Sequence, residues 1–329
     1  MTRCAYLSSG GDPFITLLVL KLWKKYWYDE VDELYINYNN HSEVPQEVVS
    51  EFLARASEDK KVHLIYHPRG IGNGLPINEM VQISHEDLIL LLEDDAFIFT
   101  SGAVNRCFQQ IESDLTDIVG SPRRSCGTEI WDRSKEKYNL DYSGYGDMGP
   151  NWWPNFFFCK RSDILKTDMD FGSSSFKPGD YSKELDYTFK EQNYGDTFVK
   201  ECMQLRALGL RSQSVPQHHA SPTEFDDRAN GEQNWHPSQQ PFEWIHAGSL
   251  SSGWNGYLNK LLPDVSTDIA KQEIETRVAF WWIALDQIKG FPDFREKYSI
   301  GIMDLQLNCN LDKDRINKKI NIYTNLMKL

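Results

Sequence analysis

Short apolar segments alternate with amphipathic segments through the first hundred residues, and this alternation restricts the fold more than any other feature of the chain. Apolar segments of about five residues predict buried strands, and the longer segments between them predict helices. The predicted strands span residues 4–8, 34–38, 62–66 and 88–92, and the predicted helices span residues 14–27, 45–56 and 73–84. Strands that alternate with helices form parallel sheets with both faces covered. We therefore predict a Rossmann-like α/β fold with a mixed, mostly parallel sheet flanked by helices.

The remainder of the chain is less regular, and it indicates where the main domain ends. The predicted segments are long loops over residues 123–154, a strand over 155–160, a helix over 196–208 and a polar, lid-like loop over 216–240. After Gly253 the apolar residues follow a helical period. We expect one domain over residues 1–252, with halves at 1–120 and 121–252. A helical extension over residues 253–329 would brace this domain or form a dimer contact.

The composition excludes several classes of function. The 329 residues carry a formal net charge of −13, which disfavours broad contact with nucleic-acid phosphates. The six cysteines have no paired spacing, which is typical of reduced thiols rather than of disulfides or a zinc site. No segment approaches the roughly 18 apolar residues that a membrane span needs, and the N-terminus has no apolar signal-peptide core. We therefore expect a cytoplasmic protein without a membrane span.

Three consecutive acidic residues, Glu93, Asp94 and Asp95, follow the predicted strand over residues 88–92 and precede further apolar residues. Adjacent carboxylates at a buried strand end repel one another and lose solvation. A divalent cation would compensate them, and oxygen ligands suit Mg²⁺ or Mn²⁺. Ligands also bind at the carboxyl ends of the strands in open α/β sheets. The alternative is a solvated acidic turn, but the strand context favours a metal site.

The order of three segments resembles the GT-A glycosyltransferases, most closely those of family 2. Such enzymes have a nucleotide-binding loop after the first strand, a segment rich in Asn and Gly before a helix, and a strand that ends in a DxD-type motif. The matching segments are residues 8–13, 69–78 and 93–95. The resemblance implies a GT-A fold, a UDP- or GDP-sugar donor, and Mn²⁺ or Mg²⁺ as cofactor. It makes residues 1–120 the donor-binding half and residues 121–252 the acceptor half.

The same resemblance assigns roles to individual residues. Asp95 would bind the cation that bridges the donor's diphosphate, and Glu93 would face the ribose or reach the cation through water. Glu93 stands where the family's motif has Asp, so the sequence departs from the pattern there. The residues implied in donor binding are Ser8, Ser9, Gly10, Asp12, Arg69, Asn73, Asn78, Glu93 and Asp94.

Asp196 opens the predicted helix over residues 196–208 and resembles the general base of inverting GT-A members. Residues 156–165, upstream of it, resemble the strand and helix that back the acceptor site. A sugar hydroxyl is a poor nucleophile, so a positioned carboxylate is chemically suited to deprotonate it. The alternative is that Asp196 caps the helix, because Asp is a preferred N-cap residue.

His246 resembles the histidine that completes the cation's ligands in many GT-A enzymes. Neutral imidazole is an acceptable ligand for Mn²⁺. His218 and His219 are alternatives for the same role. The other interpretation is that His246 is an ordinary polar loop residue.

Ten tryptophans are a high number for this length, and several lie in the irregular segments. Trp152 and Trp153 are the candidates for stacking on an acceptor sugar, together with Trp131 and Trp235. The alternative is that these rings fill the core beneath long loops. We expect the acceptor to be a saccharide or a glycoconjugate, and not a nucleic acid.

Two competing functions remain open. The QxxRW pattern of processive synthases is absent, since Glu243 precedes Trp244, which favours transfer of a single sugar. A sugar-nucleotide nucleotidyltransferase would use the same sheet and cation, but it needs an Arg in the loop after the first strand, and residues 8–13 have none. A non-catalytic carbohydrate-binding protein on a degenerate transferase fold would not explain three clustered carboxylates.

Overall fold

The structure, a computed structural model, describes residues 1–40, 44–72, 74–123, 126–139, 151–215, 218–219, 243–248, 250 and 268–329. The strands are β1 Arg3–Ser9, β2 Glu33–Asn39, β3 Val62–His67, β4 Leu88–Glu93, β5 Ala96–Ile98, β6 Ile118–Arg123, β7 Asn151–Lys160, β8 Ser174–Phe176, β9 Tyr181–Ser182, β10 Tyr187–Thr188, β11 Asn193–Gly195, β12 Ser212–Ser214, β13 His218–His219 and β14 Trp244–His246. The helices are α1 Pro13–Tyr26, α2 Gln46–Ala56, α3 Gly74–Ile83, α4 Ala103–Glu112, α5 Thr128–Tyr138, α6 Arg161–Ile164, α7 Val199–Ala207, α8 Asp268–Gln287, α9 Pro292–Asn308 and α10 Lys313–Met327.

Seven strands form the central sheet, in the order β12-β6-β7-β4-β1-β2-β3. Neighbouring strands are parallel except at β7, which runs antiparallel to both β4 and β6. The side chains of each buried strand alternate between two apolar clusters, one on each face of the sheet. Helices pack on both clusters and so cover both faces. The predicted α/β class, with a mixed, mostly parallel sheet flanked by helices, is confirmed.

Two boundaries and one element differ from the sequence-based expectations. The strand predicted over 155–160 begins earlier, at Asn151, and the helix predicted from residue 196 begins at Val199. Phe198 takes a left-handed conformation, with φ of 77°, so the helix cannot start before it. The prediction of loops throughout 123–154 was wrong for α5, because only a few of its residues are apolar.

The C-terminal helices pack directly on the first helix and on the strand after the acidic residues. Phe280 of α8 stacks on Phe97 of β5, with ring centroids 5.0 Å apart. Phe14 of α1 contacts Phe291 and Phe294 at 5.5 and 5.9 Å. These aromatic contacts belong to one continuous apolar cluster on one face of the sheet. The domain boundary after residue 252 stays a prediction.

No helix within the described part of the chain is both long enough and apolar enough to span a membrane.

Candidate active site

The carboxyl ends of β1, β2 and β4 lie side by side, and the polar residues at these ends form one edge of the sheet. Ser8 pairs with Glu93 of β4 on one side and with Asn37 of β2 on the other. The strands themselves are apolar and buried up to these positions, so the chain turns polar where the sheet ends. This parallel register brings the predicted donor loop and the acidic residues to the same edge.

Asp94 is completely buried in the turn between β4 and β5. Its Oδ2 accepts hydrogen bonds from Ser9 Oγ at 2.8 Å and from the Gly10 backbone N–H at 2.9 Å. Burial, and then the charge of Asp95, raise the pKa of Asp94 well above its usual range. Asp94 therefore ties the loop after β1 to the acidic turn. Its role in donor binding stays a prediction.

His246 reaches Asp95 through a short strand pairing. β14 runs antiparallel to β5 with His246 opposite Ala96, and the Ala247 N–H donates to the Asp95 carbonyl oxygen at 2.9 Å. This pairing places His246 Nε2 3.3 Å from Asp95 Oδ1, with both side chains buried. Burial alone would raise the pKa of Asp95, but the neighbouring imidazole outweighs it and the pKa is lowered. The geometry therefore favours an ionised Asp95.

Glu93, Asp95 and His246 present three ligand atoms that lie within 4.8 Å of one another. Two carboxylate oxygens and one imidazole nitrogen suit a divalent cation such as Mn²⁺. Among the described residues, Asp95 Oδ1 makes no hydrogen bond of normal geometry, and Asp94 Oδ1 has no partner. No Lys or Arg there pairs with either aspartate. These residues fit a divalent cation.

Asp12 caps α1 and is nearly fully buried. Its Oδ1 accepts from the backbone N–H groups of Phe14 and Ile15 at 3.0 and 3.1 Å, and the Tyr298 hydroxyl of α9 donates to its Oδ2. Burial raises the pKa of Asp12 to about 6, although these hydrogen bonds oppose the rise. Both carboxylate oxygens therefore have protein partners, and the donor-binding role of Asp12 stays a prediction.

The structure describes three of the four other residues predicted to bind the donor. Arg69 is exposed in the segment after β3, and Ser8 is half-buried at the end of β1. Asn78 lies on α3, where its Oδ1 is buried without a hydrogen-bond partner among the described residues. Asn73 lies outside the described residues. The roles of these four residues stay predictions.

Asp196 lies between β11 and α7, and it does not cap the helix. The N-cap residue of α7 is Phe198, while Asp196 Oδ1 accepts from the backbone N–H of Thr197 at 2.8 Å. The helix-cap alternative for Asp196 was therefore wrong. Phe198 packs edge-on against Phe157, and Phe157 pairs with Leu91 near the end of β4. These contacts bring the segment of Asp196 towards the edge that carries the acidic residues, and the general-base role stays a prediction.

The two candidate acceptor tryptophans are buried. Trp152 packs on Phe157, and the guanidinium of Arg206 lies 4.1 Å from its ring centroid. Trp153 contacts the His246 ring edge-on, with centroids 4.3 Å apart. Trp153 is thus the ring next to the candidate cation ligands, whereas Trp152 belongs to the core beneath. Acceptor binding by either ring stays a prediction.

Four further residues from the sequence-based predictions have different outcomes. Trp131 lies on α5 and is buried. Trp235 lies outside the described residues, and so do the side chains of His218 and His219.

Asn155 of β7 is a polar residue that the sequence-based prediction passed over. Its side chain is completely buried, and neither Nδ2 nor Oδ1 has a hydrogen-bond partner among the described residues. β7 runs antiparallel to β4, and Phe157 pairs with Leu91. Asn155 comes two residues before Phe157, and Glu93 comes two residues after Leu91. Asn155 is therefore level with the acidic residues. A single amide in a strand of aromatic residues was the signal that could have identified it.

No protein-family model matches the chain, and no curated protein matches it. The solved structures similar to it include residues 1–349 of TarS from S. aureus, with 7% identity, a TM-score of 0.42, and coverage of 93% of this chain and 72% of that one. A mannosyltransferase from Pyrobaculum calidifontis with GDP-Man and Mn²⁺ has 10% identity and a TM-score of 0.43, and the match covers 99% of this chain and 85% of that one. A 4-diphosphocytidyl-2C-methyl-D-erythritol synthase from Anaerococcus prevotii has 12% identity and a TM-score of 0.36, and the match covers 65% of this chain and 86% of that one. Likenesses this distant do not decide the activity.

Proposed function

We propose that this protein is a divalent-metal-dependent glycosyltransferase that transfers a single sugar from a nucleotide-sugar to a saccharide or glycoconjugate. The observation that carries the proposal is the convergence of Glu93, Asp95 and His246 at the carboxyl edge of a mostly parallel sheet. These ligands lie beside the loop after β1, where a nucleotide diphosphate would bind. The sequence resemblance to GT-A enzymes of family 2 supports the same function.

Each residue at this edge has a distinct task in the proposed reaction. Asp95 and His246 would hold the cation, with Glu93 as a third ligand, and Arg69 would contact the diphosphate from solvent. The cation, when bound, supplies the positive charge that stabilises the diphosphate leaving group. Asp94 holds the Ser9–Gly10 backbone in place, so the loop is ordered before the donor arrives.

Asp196 would act as the general base that removes the proton of the acceptor hydroxyl. A carboxylate base in this position implies a single in-line displacement and inversion at the anomeric carbon. Asp196→Asn should therefore lower turnover by roughly 10²–10⁴-fold with little change in donor affinity. NMR analysis of the product should show inversion, and retention of the donor's configuration would contradict this role.

The acceptor side of the site would be formed near Trp153 and Asn155. The Trp153 ring lies against the His246 imidazole, so a sugar stacked there would be next to the transferred group. The Asn155 amide offers one donor and one acceptor group to a sugar hydroxyl, which would satisfy a buried side chain that has no partner among the described residues.

A donor-hydrolysis panel tests the proposed function. Purified protein is incubated with UDP-, GDP-, CDP- and TDP-sugars, with Mn²⁺ or with excess EDTA, and the released nucleotide is measured. We expect hydrolysis of one donor class with Mn²⁺ and none with EDTA. Full activity in EDTA would contradict the cation site. Pyrophosphate release from a nucleoside triphosphate and a sugar phosphate would instead support a nucleotidyltransferase.

A further inference from the structure

We infer that Tyr298, in the C-terminal helix α9, positions the loop between β1 and α1 through a buried hydrogen-bond chain that ends at the acidic turn. The catalytic consequence of this inference rests on the proposed function, because the loop is the one proposed to hold the donor. The inference makes the C-terminal helices part of the site rather than an independent brace.

The first link is the contact between Tyr298 and Asp12. The Tyr298 hydroxyl donates to Asp12 Oδ2, and both side chains are only 1% exposed. The Tyr298 ring also packs on Phe14 of α1, with centroids 5.0 Å apart. The hydroxyl is thus held in an apolar setting, where a hydrogen bond to a carboxylate is strong and costly to lose.

The chain continues from Asp12 to the acidic turn through two hydroxyl groups. The Thr16 backbone N–H donates to the Asp12 carbonyl oxygen at 3.0 Å, and the Thr16 hydroxyl donates to Ser9 Oγ at 2.7 Å. Ser9 Oγ in turn donates to Asp94 Oδ2 at 2.8 Å. Asp94 directly precedes the cation ligand Asp95. A helix near the end of the chain is therefore connected, one hydrogen bond at a time, to the residue beside the proposed cation.

The loop between these links has little room to adopt another shape. Gly11 has a φ of +92°, and a Cβ on it would lie 2.2 Å from the Asn39 carbonyl oxygen. The Tyr38 hydroxyl donates to the Gly11 carbonyl oxygen at 2.7 Å. One side of the loop is thus fixed by β2, and the other is fixed by Asp12 and Tyr298. Loss of the Tyr298 hydroxyl would release the second side.

Tyr26 of α1 provides a matched control for Tyr298. It lies at the last position of α1, and its hydroxyl donates to the Met327 carbonyl oxygen at 2.8 Å. Tyr26→Phe therefore removes one hydrogen bond between α1 and the C-terminal helices, as Tyr298→Phe does. The difference is that Tyr26 is at the far end of α1 from the loop.

Hydrogen exchange and nucleotide binding test the inference on the 329-residue chain. We expect Tyr298→Phe to raise amide exchange over residues 9–16 by roughly ten-fold, and to weaken binding of UDP or GDP with Mn²⁺ by a similar factor. Tyr26→Phe should change neither, although it should lower the melting temperature to a smaller extent, because its partner is a neutral carbonyl oxygen.

The two readouts separate this inference from the proposed function. Exchange over residues 9–16 that rises no more in Tyr298→Phe than in Tyr26→Phe would overturn the inference, whatever the chain binds. Faster loop exchange in Tyr298→Phe, in a protein whose wild type binds neither nucleotide, would support the positioning role and contradict the proposed function.

Discussion

The C-terminal helices and the acidic turn both bury carboxylates, and they compensate them in different ways. In the C-terminal helices, Glu275 of α8 is fully buried, and Arg315 of α10 lies 2.9 Å from its carboxylate. The Asp312 backbone N–H also donates to Glu275 at 2.9 Å. In the acidic turn, Asp94 and Asp95 are equally buried, but no Lys or Arg pairs with them among the described residues.

The difference indicates which region is built to take a ligand. A buried charge is tolerated only if an opposite charge or several hydrogen bonds replace its lost solvation. Glu275 has its cation built into the chain, so that region is complete as it folds. Asp95 has the His246 imidazole and the Leu250 backbone beside it but no Lys or Arg among the described residues, so the proposed cation would supply the missing positive charge. We therefore assign stability to the first region and chemistry to the second.

The largest expected effect is on activity, through Asp95. Asp95→Ala should lower transfer by roughly 10³-fold, because the cation that stabilises the leaving group is worth several kcal/mol. The far-UV circular dichroism spectrum should stay that of the wild type. Asp132→Ala, an exposed acidic residue on α5, is the matched control and should keep full activity. A fully active Asp95→Ala variant would remove the distinction between the two regions.

The next effect is on stability, through Glu275. Glu275→Ala should lower the free energy of unfolding by about 3 kcal/mol, because it leaves Arg315 without its buried partner. Asp268 also pairs with Arg315, at 3.1 Å, but it is exposed, so Asp268→Ala should cost less than about 1 kcal/mol. Denaturant unfolding of both variants measures the difference. Equal small losses would show that Glu275 is not a structural ion-pair partner.

The smallest effect concerns a buried acid outside both regions, which pairs with no Lys or Arg in the described part of the chain. Glu201 of α7 is fully buried and accepts a hydrogen bond from Thr167 at 2.6 Å, and burial raises its pKa from 4.5 to about 7. The folded state thus favours the protonated form, so ionisation costs stability as the pH rises from 4.5 to about 7.

Glu201→Gln cannot ionise, and it isolates this cost. We expect the stability of the wild type relative to Glu201→Gln to fall by roughly 2–3 kcal/mol across that pH range and to stay constant above it. Parallel denaturant titrations of both proteins measure the change. A difference that does not vary with pH would mean that Glu201 titrates normally.

The sequence was sufficient for the elements whose signal is local. The apolar segment over 88–92 became β4, which ends at Glu93, and the helix predicted over 14–27 became α1 at Pro13–Tyr26. Both segments have regular patterns of apolar residues, because most of their side chains are buried. The acidic residues after β4 indicated the site for the same reason, since charge directly after a buried strand is unusual.

The remaining features depend on contacts between distant parts of the chain, which the sequence pattern does not encode. His246 reaches Asp95 through the three-residue strand β14, which is too short for a periodicity signal. The link between Tyr298 and Asp12 joins the two ends of the chain, and no local pattern marks it. The resemblance to GT-A enzymes proposed His246 as a ligand, but only the strand pairing shows how it comes close to the Asp95 carboxylate.

The central claim is that Glu93, Asp95 and His246 form a site for one divalent cation, and Mn²⁺ titration tests it most directly. Free Mn²⁺ is followed by electron paramagnetic resonance as the wild type is added, with UDP or GDP present and absent. We predict one bound Mn²⁺ per chain, with binding lost in Asp95→Ala and His246→Ala and retained in Asp132→Ala. Binding of Mn²⁺ by Asp95→Ala as tightly as by the wild type, or no binding by the wild type with either nucleotide, would contradict the account.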